Sequence, residues 1–320
     1  MSDTSIQQSI VQRGSRAEEV STQRPSRFSP RWRNEAVGVG FVLPLLIVYV
    51  LFLLWPIVLG LRMSFFNWSL VGSGSGNFLG LANYQEALSD PNFWGALGNT
   101  LIFTVMSTPI LVILSLFLAI LVNRVRHVRW LFRIAFFAPY ILPVSVMALI
   151  WSWLYEPGFG LLDGTFAQLG LPSVNWLTDT HVAMLSIVIA TVWWTLGFDF
   201  VLYLAGLQQI PHEMYEAASL DGAGAWAKVW HITIPLLQRS TILIIILQVI
   251  ASLQVFGQMY LLTGGGPNFT TRSVVEYIYD TGFTDFRVGY ASAMSYLVFI
   301  VILVISVGQF WILSRQGRND

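Results

Sequence analysis

Apolar residues in this chain collect into six long blocks, at 37–61, 98–122, 131–155, 182–207, 241–262 and 290–313, separated by segments rich in Gly, Pro, Asn and charged residues. Each block reaches the length of about 20 residues that a helix needs to cross the hydrocarbon core of a bilayer. None alternates apolar and polar residues with the period of two that a barrel strand shows. The pattern therefore predicts an all-α, polytopic membrane protein with six transmembrane helices.

Composition agrees: 55% of residues are hydrophobic and only 11% charged, less than half the usual share in a water-soluble chain. Formal charge is zero, so no global basic field exists to hold nucleic acid. Cysteine is absent, which removes disulfides, thiolate nucleophiles and cysteine metal sites. The glycine-rich stretch 72–80 lacks the Gly-Lys-Ser/Thr end of a phosphate-binding loop, so the chain is expected to hydrolyse no ATP itself and to carry no cofactor. His127, His181, His212 and His231 lack metal-ligand spacing.

The basic residues set an orientation. Fourteen of the 17 Lys and Arg fall before the first block, after the second, after the fourth or at the C-terminus; Arg62, Arg272 and Arg287 lie opposite. Because such residues stay on the cytoplasmic side of short loops, both termini are predicted inside and 62–97, 156–181 and 263–289 outside. Residues 1–36 carry no apolar period and read as a disordered cytoplasmic tail, as do 314–320, with a membrane domain over 37–313. A cleaved signal peptide is the rival for the start, but the first apolar block is too long for one.

The connection 208–240 is far longer than a helix hairpin requires. Pro211, Glu213 and Glu216 suit the first turns of a helix, Asp221-Gly222 should end it, and a second short helix should run into Pro235. Small residues at Ala217, Ala218, Gly222 and Ala223 would let another surface approach closely.

These residues also resemble a family. Glu216-Ala217-Ala218, then Asp221-Gly222-Ala223, then Ile232-Thr233-Ile234-Pro235-Leu236-Leu237 are similar to the EAA loop of importer-type ATP-binding-cassette permeases. Phe78-Leu79-Gly80-Leu81-Ala82-Asn83-Tyr84, Asn99-Thr100-Leu101, Asn175-Trp176-Leu177 and Leu262-Thr263-Gly264-Gly265-Gly266-Pro267 resemble the carbohydrate-importer branch, in particular the first permease of maltose- and glycerol-phosphate-type systems. The resemblance implies a type I importer bundle in a bacterial or archaeal cell membrane. It also implies a homologous second permease, two cytoplasmic ATPase subunits that bind ATP and Mg, and an extracytoplasmic solute-binding protein that delivers a sugar. Glu216, Ala217, Ala218, Asp221, Gly222, Ala223, Ile234 and Pro235 would then couple ATPase closure to the helices. The substrate would be a disaccharide or oligosaccharide, with a polyol phosphate as the alternative.

Sugar recognition calls for hydrogen-bonding groups beside aromatic faces in a cavity between helices. Thr191, Thr195, Asp199 and Tyr203 recur every four residues, flanked by Trp193, Trp194 and Phe198; Gln248 with Ser252, and Gln254 with Gln258, add polar groups to the fifth block. For the Ser, Thr and Gln positions interhelical hydrogen bonding is an equal reading. An ionisable residue at the depth of Asp199 points rather to the pathway. Thr100, Thr104, Ser107 and Thr108 read as packing, Pro109, Pro139 and Pro143 as kinks, and Trp68, Trp94, Trp153 and Trp176 as interfacial anchors. A stand-alone carrier would favour paired intramembrane charges, whereas Asp199 stands alone. An embedded enzyme would need a nucleophile with a base or a carboxylate pair, and no such set falls within the blocks.

Overall fold

The structure is a computed structural model that describes residues 31–71, 75–125 and 129–316. The expected tail over 1–30 and the last four residues lie outside the described residues. Two compact units divide between Ile57 and Val58. Helix α1 (Arg31–Tyr49) passes through a π-helical turn, Val50–Leu54, into helix α2 (Trp55–Ser64), within which that boundary falls. Helix thus begins six residues before the apolar block, and Phe41, Leu45, Phe52 and Trp55 turn outward, as a lipid-facing helix requires.

In the second unit the rest of α2 is followed by a short antiparallel pair, β1 (Phe66–Trp68) and β2 (Ser75–Phe78), and by helix α3 (Ala82–Ser89). Helix α4 (Pro91–Arg124) is capped by Asp90, whose carboxylate accepts from Asn92 N, and has Pro91 in its first turn, where the missing N–H costs nothing. Helices α5 (Arg129–Ile141) and α6 (Val144–Leu154) meet at Leu142-Pro143 with a bend of 97°. Then come α7 (Leu161–Gln168), α8 (Ala183–Gln208), α9 (His212–Leu220) and α10 (Ala225–Lys228). A π-helical turn (Val229–Thr233) leads into α11 (Ile234–Leu236), α12 (Gln238–Leu253) and α13 (Gly257–Thr263). Helix α14 (Val274–Tyr279) and a last π turn precede α15 (Val288–Gln316).

Among the described residues four helices are long and apolar enough to span, and six spans result if each of two bent pairs counts as one. The all-α, six-span reading holds, and the third block bends at Pro143 as expected, but the fifth block departs from its expected form. Helix α4 continues through Pro109, and α5 through Pro139, without a break; only Pro143 marks one. The fifth block is not one helix: α12 stops at Leu253, and α13 starts after a non-helical Phe256. There Val255, Met259 and Leu262 enter a core formed by Phe103, Met147, Ala148, Trp151 and Ile187, and that burial outweighs a continuous ladder. Trp176 is half-buried and stacks on Tyr155 at 5.4 Å against the same core.

A second core joins Ala119, Val122, Phe200, Tyr203, Leu204, Leu207, Leu237 and Ile244 between α4, α8 and the start of α12. Gly197 sits at the tightest helix crossing, where a Cβ would fall 2.1 Å from Phe136 O on α5. The short motifs fasten loops to span ends. Asn83 Nδ2 donates to Ser64 O and Phe66 O at 2.8 and 3.1 Å, Asn99 Nδ2 donates to Phe269 O and Arg272 O, and Thr100 Oγ1 accepts from Val274 N. Asp90 receives the hydroxyls of Tyr277 and Tyr290 at 2.5 and 2.8 Å. The expected packing role of Thr100, Thr104, Ser107 and Thr108 is met, because all four are buried.

Candidate functional site: the coupling loop and the polar interface between helices

Helix α9 follows Pro211, and its first turn carries Glu213, where the helix dipole favours a negative charge. Its end is closed by two backbone bonds, Gly222 N to Ser219 O at 3.1 Å and Ala223 N to Ala218 O at 2.8 Å. That pairing requires a left-handed residue between them, and Gly222 has φ +79° with open space where a side chain would stand. Asp221 and Gly222 therefore end the helix as expected, and the following arm begins at Ala225.

The two arms are tied together. Lys228 Nζ donates to Ser219 Oγ at 2.6 Å, and the Tyr215 and Thr233 hydroxyls pair at 3.0 Å. At the base, a Cβ on Gly206 would lie 2.6 Å from Ser240 Oγ and 2.9 Å from Leu237 Cδ2, so the foot of α8 rests directly on the start of α12. The loop is thus a braced projection rather than a slack connection. Glu216, Ala217, Asp221 and Pro235 are exposed on it, while Ala218, Ala223 and Ile234 are half-buried. The sequence reading missed its apolar tip: Leu220 is 89% exposed and Trp226 75%, with Trp230 beside them. Apolar exposure one helical turn apart at Trp226 and Trp230 was the available signal, and such a patch beside polar residues marks an interaction surface.

The second candidate set divides into two layers. Asp199 is fully buried, and its Oδ1 accepts from Gln248 Nε2 at 2.8 Å across the contact of α8 with α12. Its Oδ2 has no hydrogen-bond partner among the described residues. Tyr203 and Ser252 are buried in the same zone, Ser252 Oγ standing 3.4 Å from Ser107 Oγ. Trp193 and Gln254 are exposed, and Trp194, Thr195 and Gln258 are half-buried. Trp194 Nε1 donates to Leu142 O at 3.0 Å, which pins α8 to the bend between α5 and α6. The break at residues 254–256 means that Gln254 and Gln258 do not share one helical face as expected from their spacing. Among the described residues no three metal-ligating side chains converge.

Residues 112–317 match the family model of the binding-protein-dependent transport system inner membrane component. The chain belongs to this family. It is the membrane-embedded translocation subunit of an ATP-binding-cassette importer, and the family is one of transporter permeases that work with a binding protein. The permease is 35% identical over 280 residues to the trehalose/maltose transport system permease MalF of Thermococcus litoralis, covering 87% of this chain and 93% of the relative. It is 31% identical over 283 residues to the sulfoquinovosyl glycerol transport system permease SmoG of Agrobacterium fabrum, covering 87% and 92%. A bacterial alginate ABC transporter, solved in complex with an alginate pentasaccharide-bound periplasmic protein, contains a chain of the same fold. Its TM-score is 0.79 at 24% identity, over 88% of this chain and 96% of that one. The type I importer fold is therefore the architecture of this permease.

Proposed function

We propose that the permease pairs with a second, homologous permease to form the pathway for a disaccharide or oligosaccharide. Two cytoplasmic ATPase subunits that bind ATP and Mg would drive it, with a binding protein outside and both termini inside. The observation that carries the reading is the braced loop from α9 to α11, which presents Glu216, Ala217, Leu220 and Trp226 outward and rests through Gly206 on both α8 and α12. A push on such a loop moves two helices together instead of bending a linker. Relatives whose names specify trehalose, maltose and sulfoquinovosyl glycerol support a glycan cargo. The absence of Lys and Arg from the candidate pathway residues disfavours a phosphate ester.

For the pathway itself, Trp193, Thr195, Gln254 and Gln258 would meet the sugar from the surface open to the second permease. Trp194, Asp199, Tyr203, Gln248 and Ser252 would form the polar layer behind them. The test uses the complete transporter in vesicles. Gly222→Val forces a β-branched residue to φ +79°, and Glu216→Lys reverses a charge on the exposed arm; neither touches α8 or α12. Both should abolish sugar uptake and the ATPase response to loaded binding protein while the complex still purifies intact. Normal uptake by either variant would refute the coupling role.

A further inference from the structure

Between the end of α4, the start of α5 and the first arm of the coupling loop lies a cavity of ≈ 530 Å³ lined by Asn123, Arg124, Arg129, His212 and Tyr215. A neighbouring pocket of ≈ 320 Å³ shares Arg124 and adds Lys228. No Asp or Glu is among the described residues that line either space. Arg129 Nη2 donates to Asn123 O at 2.6 Å, which fixes its guanidinium, while its buried Nε has no acceptor among the described residues. Lys228 Nζ meets only a hydroxyl, and among the described residues neither arginine forms an ion pair. Arg124 and Arg129 therefore share one cavity, with Lys228 in the pocket beside it, and no carboxylate among the described residues lines either, an arrangement that favours an anion.

The setting says which anion. The cavity opens where the apolar spans end, and beside it Leu121, Trp130, Leu131 and Ile134 are exposed on α4 and α5. A ligand with a phosphate and acyl chains would satisfy both surfaces at once, its phosphate meeting the arginines and its chains lying along the apolar residues. We propose that this cavity binds the phosphate of an acidic membrane phospholipid and so ties the base of the coupling loop to the surrounding lipid.

The experiment is native mass spectrometry of the full chain, purified in mild detergent with its accompanying subunits from vesicles of phosphatidylcholine mixed with phosphatidylglycerol. Wild type should retain phosphatidylglycerol over phosphatidylcholine, and Arg124→Gln should lower that retention about fivefold, the effect of one basic residue near an anionic surface. Arg124→Lys should keep it. Arg129→Gln should also lower retention, and the yield of intact complex separates this from misfolding, since Arg124 itself makes no hydrogen bond within the described residues. Equal retention of both lipids, or retention unchanged in Arg124→Gln, would overturn the site. Displacement of phosphatidylglycerol by inorganic phosphate alone would overturn the lipid as its source.

Discussion

Glu276 lies on α14, between α13 and α15, and is 1% exposed. Its Oε2 lacks a hydrogen-bond partner among the described residues, and Oε1 lies 3.0 Å from where a Cβ on Gly265 would stand. Burial, followed by the nearby Asp280 carboxylate, pushes its pKa from 4.5 up to about 7; the Ser273 side of the helix cap and Arg272 oppose this only in part. The folded state therefore holds a proton that the unfolded chain has released between these two values. Stability from this group is full below the unfolded pKa and is lost as pH rises through about 7. At about 1.4 kcal/mol per pH unit the difference corresponds to about 3 kcal/mol, or several degrees in the midpoint of thermal unfolding. Asp280, also raised by burial, acts in the same direction. Asp90 has a lowered pKa, held down by the hydroxyls of Tyr277 and Tyr290 against its own burial, and contributes in the opposite direction at lower pH. The assay is thermal unfolding of the purified transporter from about pH 5 to about pH 8, comparing wild type with Glu276→Gln. The variant keeps the shape of the protonated acid, so it should match wild type at the acid end and exceed it at the alkaline end. Parallel curves would refute the buried-proton argument.

Three further outcomes are expected. Gly197→Ala places a methyl against Phe136 O and should destabilise the crossing of α5 and α8 by about 1 to 3 kcal/mol, read as a lower unfolding midpoint. If the Asp199–Gln248 bond is structural, Gln248→Leu should lower complex yield by stranding a buried carboxyl at a cost of about 1 to 3 kcal/mol, and Asp199→Leu with Gln248→Leu should restore yield. Transport by the double variant then reports whether Asp199 serves the pathway as well, with normal uptake excluding it. Since the chain has no cysteine, Asn77→Cys should be labelled from outside by an impermeant thiol reagent and Gln209→Cys only after permeabilisation; the reverse pattern would refute the proposed orientation.

The order of spans was legible because a bilayer imposes it through composition: a run of about 20 apolar residues has few other places to go. The loop over 208–240, proposed to couple ATPase to helices, was legible for a local reason. Pro211, the acidic first turn and Gly222 act over one or two helical turns, so their neighbours in sequence are also their neighbours in space. Tertiary packing decided the rest. The break at residues 254–256 follows from Val255 and Met259 fitting beside α6, which no helical period announces. Trp176 packs against the core because Tyr155 and Phe166 stand against it, and the 97° bend fell at Leu142-Pro143 while Pro109 and Pro139 leave their helices unbroken. The four-residue spacing of Asp199 placed it on a polar stripe, but only the approach of α12 showed that Gln248 occupies one of its oxygens. Arg124, Arg129 and Lys228 are spread over more than a hundred residues and line two neighbouring pockets that share Arg124, because α4, α5 and the loop over 208–240 meet there. Sequence thus determined what depends on nearby residues and on the solvent, and the fold determined which distant surfaces meet.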